Sequence, residues 1–141
     1  MEIVLPIYIK PKKSKKEVFV GLNWYRNVNF YTSNDVKKQY HEIVYKQLRG
    51  VKQPFKKQIK VKYRLFYKRK DCDLMNVVSV LDKFLLDALV KAGMIKDDNV
   101  NKYVECHAEI AGKDSKNPRL VCIISEVEQW EKLNLKEIQK N

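Results

Sequence analysis

The chain is short of acid. It carries 17 Asp plus Glu against 29 Lys plus Arg, a formal net charge of +12 in 141 residues. That excess favours a polyanionic partner, with nucleic acid the first candidate; the plainer reading is a merely soluble basic surface. Cysteine is also scarce. Cys72, Cys106 and Cys122 make an odd number, and no CxxC spacing occurs. A disulfide framework or zinc site is therefore not expected, and a reducing, cytoplasmic setting fits better. The two histidines, His41 and His107, have no partner at ligand or triad spacing. There is no Ser/His/Asp arrangement, glycine-rich phosphate loop, internal repeat or extended low-complexity tract. No segment approaches the roughly 20 apolar residues of a membrane span, so no membrane partner is expected. "MEIVLPIYIKPKK" at the start lacks the apolar core of a signal peptide.

At this length the chain reads as one domain with a real core, over residues 1–128, followed by a charged tail over 129–141. Ile3 to Ile9 reads as a first strand, with Pro6 marking an edge. "KPKKSKKE" is a basic loop, and "VFVGLNWYRNVNFY" is rich in aromatics. Ser33 is a candidate N-cap with Asp35 in the first turn, opening a helix that carries Val36, Tyr40, Ile43, Val44 and Leu48 up to Gly50. Ile59 to Tyr67 alternates strictly, with Ile59, Val61, Tyr63, Leu65 and Tyr67 on one face and Lys60, Lys62, Arg64, Phe66 and Lys68 on the other. A second helix is expected from Leu74 to Lys91, capped by Asp73 and ended by Gly93. Tyr103 to Ile110 and Leu120 to Val127 read as strands joined by a hairpin-like turn, "AGKDSKNP". The order implies an α+β domain: a mixed or mostly antiparallel sheet with two main helices packed on it.

The acids that do occur gather in "KDCDLMNVVSVLDKFLLDALVKAGMIKDDNV", Lys70 to Val100. Helical spacing gives Val77, Val80, Leu81, Phe84, Leu85, Ala88 and Leu89 an apolar stripe. Asn76, Ser79, Lys83 and Asp87 share a second stripe, and Asp82 lies about 100° from Lys83. Carboxylates lined up at a strand end and along a helix can hold Mg²⁺, which prefers hard oxygen ligands. Metal-assisted phosphodiester hydrolysis uses such a set, with a lysine to neutralise phosphate charge. Each residue also has a plainer reading. Asp73 caps a helix, Asp87 pairs with Lys83 or Lys91, and Asp97 and Asp98 are turn residues. Leu74 to Lys91 spans roughly 27 Å, so Asp73 and Asp98 begin at opposite ends of the helix. Either Asp98 folds back toward Asp82 and Lys83, or it meets the first aspartates of another subunit in a symmetric dimer.

At these residues the chain resembles the RusA-like family of Holliday-junction endonucleases of bacteriophages and prophages. The matching pieces are the basic run "YKRKD", Asp71 and Asp73, Asn76, "KFLLDALVKAG" and "KDDNV", with "LNWYRN" resembling a phage subgroup. The resemblance covers roughly residues 1 to 128. It implies a Mg²⁺-dependent homodimer, with Mn²⁺ able to substitute, that resolves branched DNA by symmetric paired nicks in recombination or repair. It implies catalytic roles for Asp73, Lys83 and Asp98, with Asp71 and Asp97 as close candidates for the same roles. The family pattern places asparagine directly after its second aspartate and lysine three further on. Here Leu74 and Met75 separate Asp73 from Asn76, and Lys83 lies seven beyond Asn76. The spare residues amount to about one helical turn, and they bring in Asp82 as a substitute carboxylate. The expected metal ligands are thus Asp71, Asp73, Asp82, Asp97 and Asp98. Phosphate contacts are expected from Lys12, Lys13, Lys15, Lys16, Arg26, Lys68, Arg69 and Lys70, with steep salt dependence. Trp24, Tyr25, Phe30 and Tyr31 either stack on unpaired bases or pack inside. The alternative to a nuclease is a non-catalytic basic DNA-binding protein with a degenerate metal site. An RNA-binding module is a third, weaker reading.

Overall fold

The computed structural model describes residues 1–51 and 53–128; the charged tail expected over 129–141 lies outside the described residues. In chain order the elements are β1 (Glu2–Pro6), β2 (Tyr8–Ile9), β3 (Val18–Phe19), α1 (Leu22–Asn27), α2 (Phe30–Gln47), β4 (Ile59–Tyr67), α3 (Leu74–Lys91), β5 (Tyr103–Lys113) and β6 (Arg119–Glu126). The main sheet has four strands in the order β1-β6-β4-β5, and β2 and β3 form a small two-stranded sheet. The protein is an α+β domain with a mixed sheet and two main helices.

β4 organises the domain. Its strict alternation buries Ile59, Val61, Tyr63 and Leu65 on one face, because successive side chains in a strand point to opposite sides. β5 pairs with it in parallel and β6 antiparallel. The hairpin expected between Tyr103 and Val127 is therefore not formed: β4 lies between the two strands. Residues 114–118 step across its end instead, over two strand spacings, or roughly 10 Å, within reach of five residues. The Asp114 N–H donates to the Tyr67 carbonyl at 2.8 Å, which fastens the crossing to the end of β4. The Asp114 carboxylate then accepts from the backbone of Lys116 and Asn117 and from Arg119.

The first strand expected over Ile3 to Ile9 is divided. Ile7 leaves the main sheet, its carbonyl accepting from Val20 at 2.9 Å, and Tyr8–Ile9 pairs with β3. Pro6 does sit on an edge strand, as its missing N–H requires. The outer side of β1 is closed by the Gln47 amide, which accepts from Val4 N–H and donates to Val4 C=O, both at 2.8 Å.

α2 begins four residues earlier than a cap at Ser33 suggested. Asn29 is the cap, accepting from Thr32 N–H at 2.9 Å. α3 fits its expectation residue for residue. Asp73 accepts from Met75 and Asn76 N–H, and Gly93 follows the helix at φ +75°, a left-handed turn favoured by glycine. Its whole apolar stripe is buried, as are Val78 and Leu86, because α3 packs against both the sheet and α2. Phe84 is its central knob, with Tyr40 of α2 at 5.5 Å and Tyr25 of α1 at 5.9 Å between ring centroids. Truncating such a side chain to alanine costs about 3–5 kcal/mol.

Candidate acidic and basic site at the start of α3

The end of β4 delivers the chain into a basic turn and then an acidic one. Lys68, Arg69, Lys70, Asp71 and Asp73 are all exposed. Tyr8, Phe19, Lys68, Arg69, Asp71 and Cys72 line a cleft of about 330 Å³ at this point. The Lys68 ammonium lies 5.4 Å from the centre of the Tyr8 ring, within cation–π range. Arg69 Nε is 3.5 Å from an Asp71 carboxylate oxygen, an exposed pair that a phosphate can readily displace. Burial, then the charges of Asp71 and Asp73, hold the Cys72 thiol above its ordinary pKa. Cys72 thus lines the cleft chiefly as the protonated thiol.

Asp73 caps α3. One of its oxygens, Oδ1, accepts from Met75 N–H at 3.1 Å and Asn76 N–H at 3.4 Å, so the capping role read from sequence is real. Mg²⁺ usually takes one or two carboxylates from a protein and completes its shell with phosphate oxygens and water. Asp71 and Asp73, exposed and two residues apart, suit that mode by number and donor type. Among the described residues no group of three or more His, Cys, Asp or Glu is assembled to hold a metal ion. The five aspartates thus do not form one cluster within the described chain.

The other three lie elsewhere. Asp82 points to the sheet. Its Oδ1 accepts from the Tyr63 hydroxyl at 2.5 Å and the Tyr103 hydroxyl at 2.8 Å. This engagement differs from the substitute-ligand role expected for Asp82, and its cause is packing: Tyr63 is fully buried, and its hydroxyl needs a polar partner. Burial first, then the Asp82 charge, raise the pKa of Tyr63, which keeps its proton as donor. Asp97 shapes the turn after α3, with Oδ1 accepting from Asp98 and Asn99 N–H and Oδ2 from the Asn99 amide. Asp98 is exposed in the same turn, past the far end of α3 from Asp73. Asp87 pairs with neither Lys83 nor Lys91 but with Lys37 of α2, at 2.9 Å, because the two helices pack side by side.

Lys83 and Asn76 share the outward stripe of α3, and α1 rests on it. Asn76 Oδ1 accepts from Leu22 N–H at 2.9 Å, which satisfies one of the free donors at the start of α1. The Lys83 ammonium stands 5.4 Å from the Tyr25 ring centre. The adjacent Tyr25 is the main effect raising its pKa, so Lys83 is a cation at neutral pH. It lies about 15 Å along the axis from Asp73, at 1.5 Å per residue, and its stem leans back toward the helix start. Arg26 is exposed in the last turn of α1.

The aromatic stretch divides as well. Trp24 and Tyr25 are partly buried against the core, whereas Phe30 and Tyr31 stand out in solvent. Lys12, Lys13, Lys15 and Lys16 are exposed in the loop between β2 and β3. Sequence reasoning passed over Tyr8, Phe19 and Cys72 as cleft residues and Tyr63 and Tyr103 as partners of Asp82. Tyr8 did leave a signal: it takes an outward position in an otherwise apolar alternation. Tyr63 left another, a hydroxyl on a buried strand face.

No family model matches the chain, and no curated protein matches it significantly. The functional reading therefore rests on the residues themselves. No described helix is long and apolar enough to cross a membrane.

Proposed function

We propose that this protein is a Mg²⁺-dependent, structure-selective endodeoxyribonuclease of the RusA-like type, acting as a homodimer on four-way junctions and other branched DNA. The observation that carries the reading is the acidic pair Asp71 and Asp73 directly after the exposed basic turn Lys68, Arg69 and Lys70, with Asp71 lining the cleft beside Lys68 and Arg69. A surface built only to bind a polyanion gains nothing from two exposed carboxylates next to its cations. A hydrolase of phosphodiesters needs them, to hold a cation against the scissile phosphate.

In this reading Lys68, Arg69 and the lysines of the 10–17 loop draw in the DNA backbone. Asp71 and Asp73 would hold Mg²⁺, whose chemistry is to activate water and stabilise charge on the transferring phosphate. Lys83, held protonated, offers a positive charge to a non-bridging oxygen. The separation of Asp73 from Asp98 favours pairing of sites across two subunits. A dimer also suits β5, which among the described residues has a strand partner on one side only and exposes Ile110. Action in the cytoplasm of a bacterial or phage-infected cell, in DNA recombination or repair, belongs to the same proposal.

The rival reading, a non-catalytic DNA-binding protein with a degenerate metal site, draws support from one observation: no three carboxylates are assembled in the described chain. A synthetic four-way junction decides between them. The nuclease reading expects paired nicks with Mg²⁺ or Mn²⁺, none with EDTA, and little cutting of linear duplex. Tight junction binding with no cleavage in either metal would establish the rival.

A further inference from the structure

Phe30 and Tyr31 are the most anomalous side chains on the described surface. They open α2 side by side, 76% and 83% exposed, with ring centroids 5.8 Å apart. Large aromatics are normally buried, and this pair contributes nothing to the core. Beside them lies a cleft of about 410 Å³ between the 10–17 loop and the first turns of α2, walled by Lys12, Lys13, Tyr31 and Lys38 among others. The loop is held in place. Asp35 Oδ2 accepts from Lys12 N–H at 2.9 Å, and the Gln39 amide donates to Lys10 C=O at 3.1 Å. The backbone of this lysine-rich segment is therefore pinned to the helix while its ammonium groups face outward.

We infer that this cleft, with Phe30 and Tyr31 at its rim, is a binding platform for unpaired, single-stranded DNA, distinct from the Asp71 and Asp73 site. Bases stack on exposed rings whatever their sequence, and the flanking lysines follow the phosphates. Bases within a duplex are already stacked and cannot use the rings. The alternative occupant, a second copy of this chain, would bring Lys12, Lys13 and Lys38 against their own counterparts, which like charge disfavours. The choice of DNA as the polyanion rests on the function proposed above, and the platform names the part of a branched substrate that this face would read.

The test is fluorescence anisotropy in EDTA with a labelled oligo(dT) of about 15 nucleotides, long enough for one platform, and with a blunt duplex of equal length. Phe30→Ala/Tyr31→Ala removes exposed rings only, and circular dichroism confirms its fold. It is expected to weaken oligo(dT) binding at least about tenfold, stacking being the dominant sequence-tolerant contact, and to leave duplex binding within about twofold. Lys12→Ala/Lys13→Ala/Lys38→Ala should weaken both ligands and flatten the salt dependence of oligo(dT) binding by about two logarithmic units per decade of salt. Unchanged oligo(dT) affinity, or an equal loss on duplex, in the ring variant overturns the platform. So does a dimer-to-monomer change of that variant in sedimentation velocity, which would assign the rings to a subunit contact. Junction cleavage by a protein whose oligo(dT) binding ignores the rings would sink this inference alone. Absence of all DNA binding would sink the function as well.

Discussion

Asp82 offers the sharpest division between a structural and a catalytic carboxylate. Its Oδ1 accepts from two tyrosine hydroxyls, one of them on the fully buried Tyr63. Asp82→Ala removes a charged acceptor and strands the Tyr63 hydroxyl in the core, at about 1–3 kcal/mol for the unsatisfied group. With the packing lost beside it, the total is about 3 kcal/mol; Tyr103, only half-buried, recovers a bond to water. Asp82→Asn keeps an oxygen in place and exchanges charge-assisted bonds for neutral ones, at about 1 kcal/mol. Tyr63→Phe costs about 1–2 kcal/mol. The double variant Asp82→Ala/Tyr63→Phe should be at least about 1 kcal/mol more stable than the sum of the single changes, since each removes the same bond.

Urea unfolding followed by circular dichroism measures these differences directly. A pH series adds an independent check. Tyr63 is raised above the ordinary tyrosine value, chiefly by burial and then by Asp82. Its stabilising share is complete below pH about 10 and is lost as pH rises beyond it, because the unfolded chain releases that proton first. Tyr63→Phe should therefore flatten the alkaline limb. On this reasoning Asp82→Asn keeps whatever junction cleavage the parent protein shows under the proposed function. An Asp82→Asn protein that is fully stable, yet has lost both cleavage and its thermal shift with Mg²⁺, would refute it and restore Asp82 to the metal site.

Two further outcomes follow. Asn caps helices as well as Asp does, so Asp73→Asn should stay within about 0.5 kcal/mol of the parent while losing Mg²⁺-dependent cleavage. Asp73→Ala should lose cleavage and about 1 kcal/mol besides, or about 3 °C in Tm, and full cleavage by the Asn variant would remove Asp73 from the site. His41 is buried with its Nε2 unpartnered, and burial, then Lys91 and Lys37, lower its pKa against a smaller opposing pull from Asp87. Its neutral form supports the fold above pH about 6.5. Stability should fall as pH drops below that, at most by about 1.4 kcal/mol per pH unit, and His41→Leu should flatten this acid limb in thermal melts.

The parts legible in the sequence are those fixed by local physics. β4 and α3 were readable to the residue, because strict alternation and a capped 3.6-residue stripe each admit one structure. α1 was not, because its six residues carry no apolar stripe and bury no residue fully. It depends on Asn76, more than fifty positions away, for the bond to Leu22 N–H. "AGKDSKNP" has the same turn chemistry whether the chain reverses beside a strand or steps over one, so the hairpin error was built into the signal. In the candidate site, the cap role of Asp73 followed from its position. The direction of Asp82 did not, since helical spacing places it beside Lys83 and the Tyr63 and Tyr103 hydroxyls draw it to the sheet. Nor could spacing separate Tyr25, which packs on Phe84, from Tyr31, which packs on nothing in the core.

The length of α3 leaves one question that chemistry can answer without a complex. Its eighteen residues span roughly 27 Å along the axis, with Asp73 capping the start and Asp98 in the turn beyond the end. If both serve one reaction, two subunits must contribute, Asp73 from one and Asp98 from the other. Asp73→Asn and Asp98→Asn proteins would then each be inactive, yet their mixture would not be. In a mixed dimer one composite site carries both changes and the other carries neither. Free exchange of subunits puts half the dimers in the mixed form, each with one intact site of two, so about a quarter of the parent's sites return. Those sites act singly, so the mixture should nick one strand of a four-way junction without the paired cut that releases linear products. A site completed within one chain predicts no recovery, since every chain in the mixture lacks one carboxylate. Unmixed Asp98→Asn protein with full activity would show instead that Asp98 is only a turn residue, and that Asp71 and Asp73 are the acidic site.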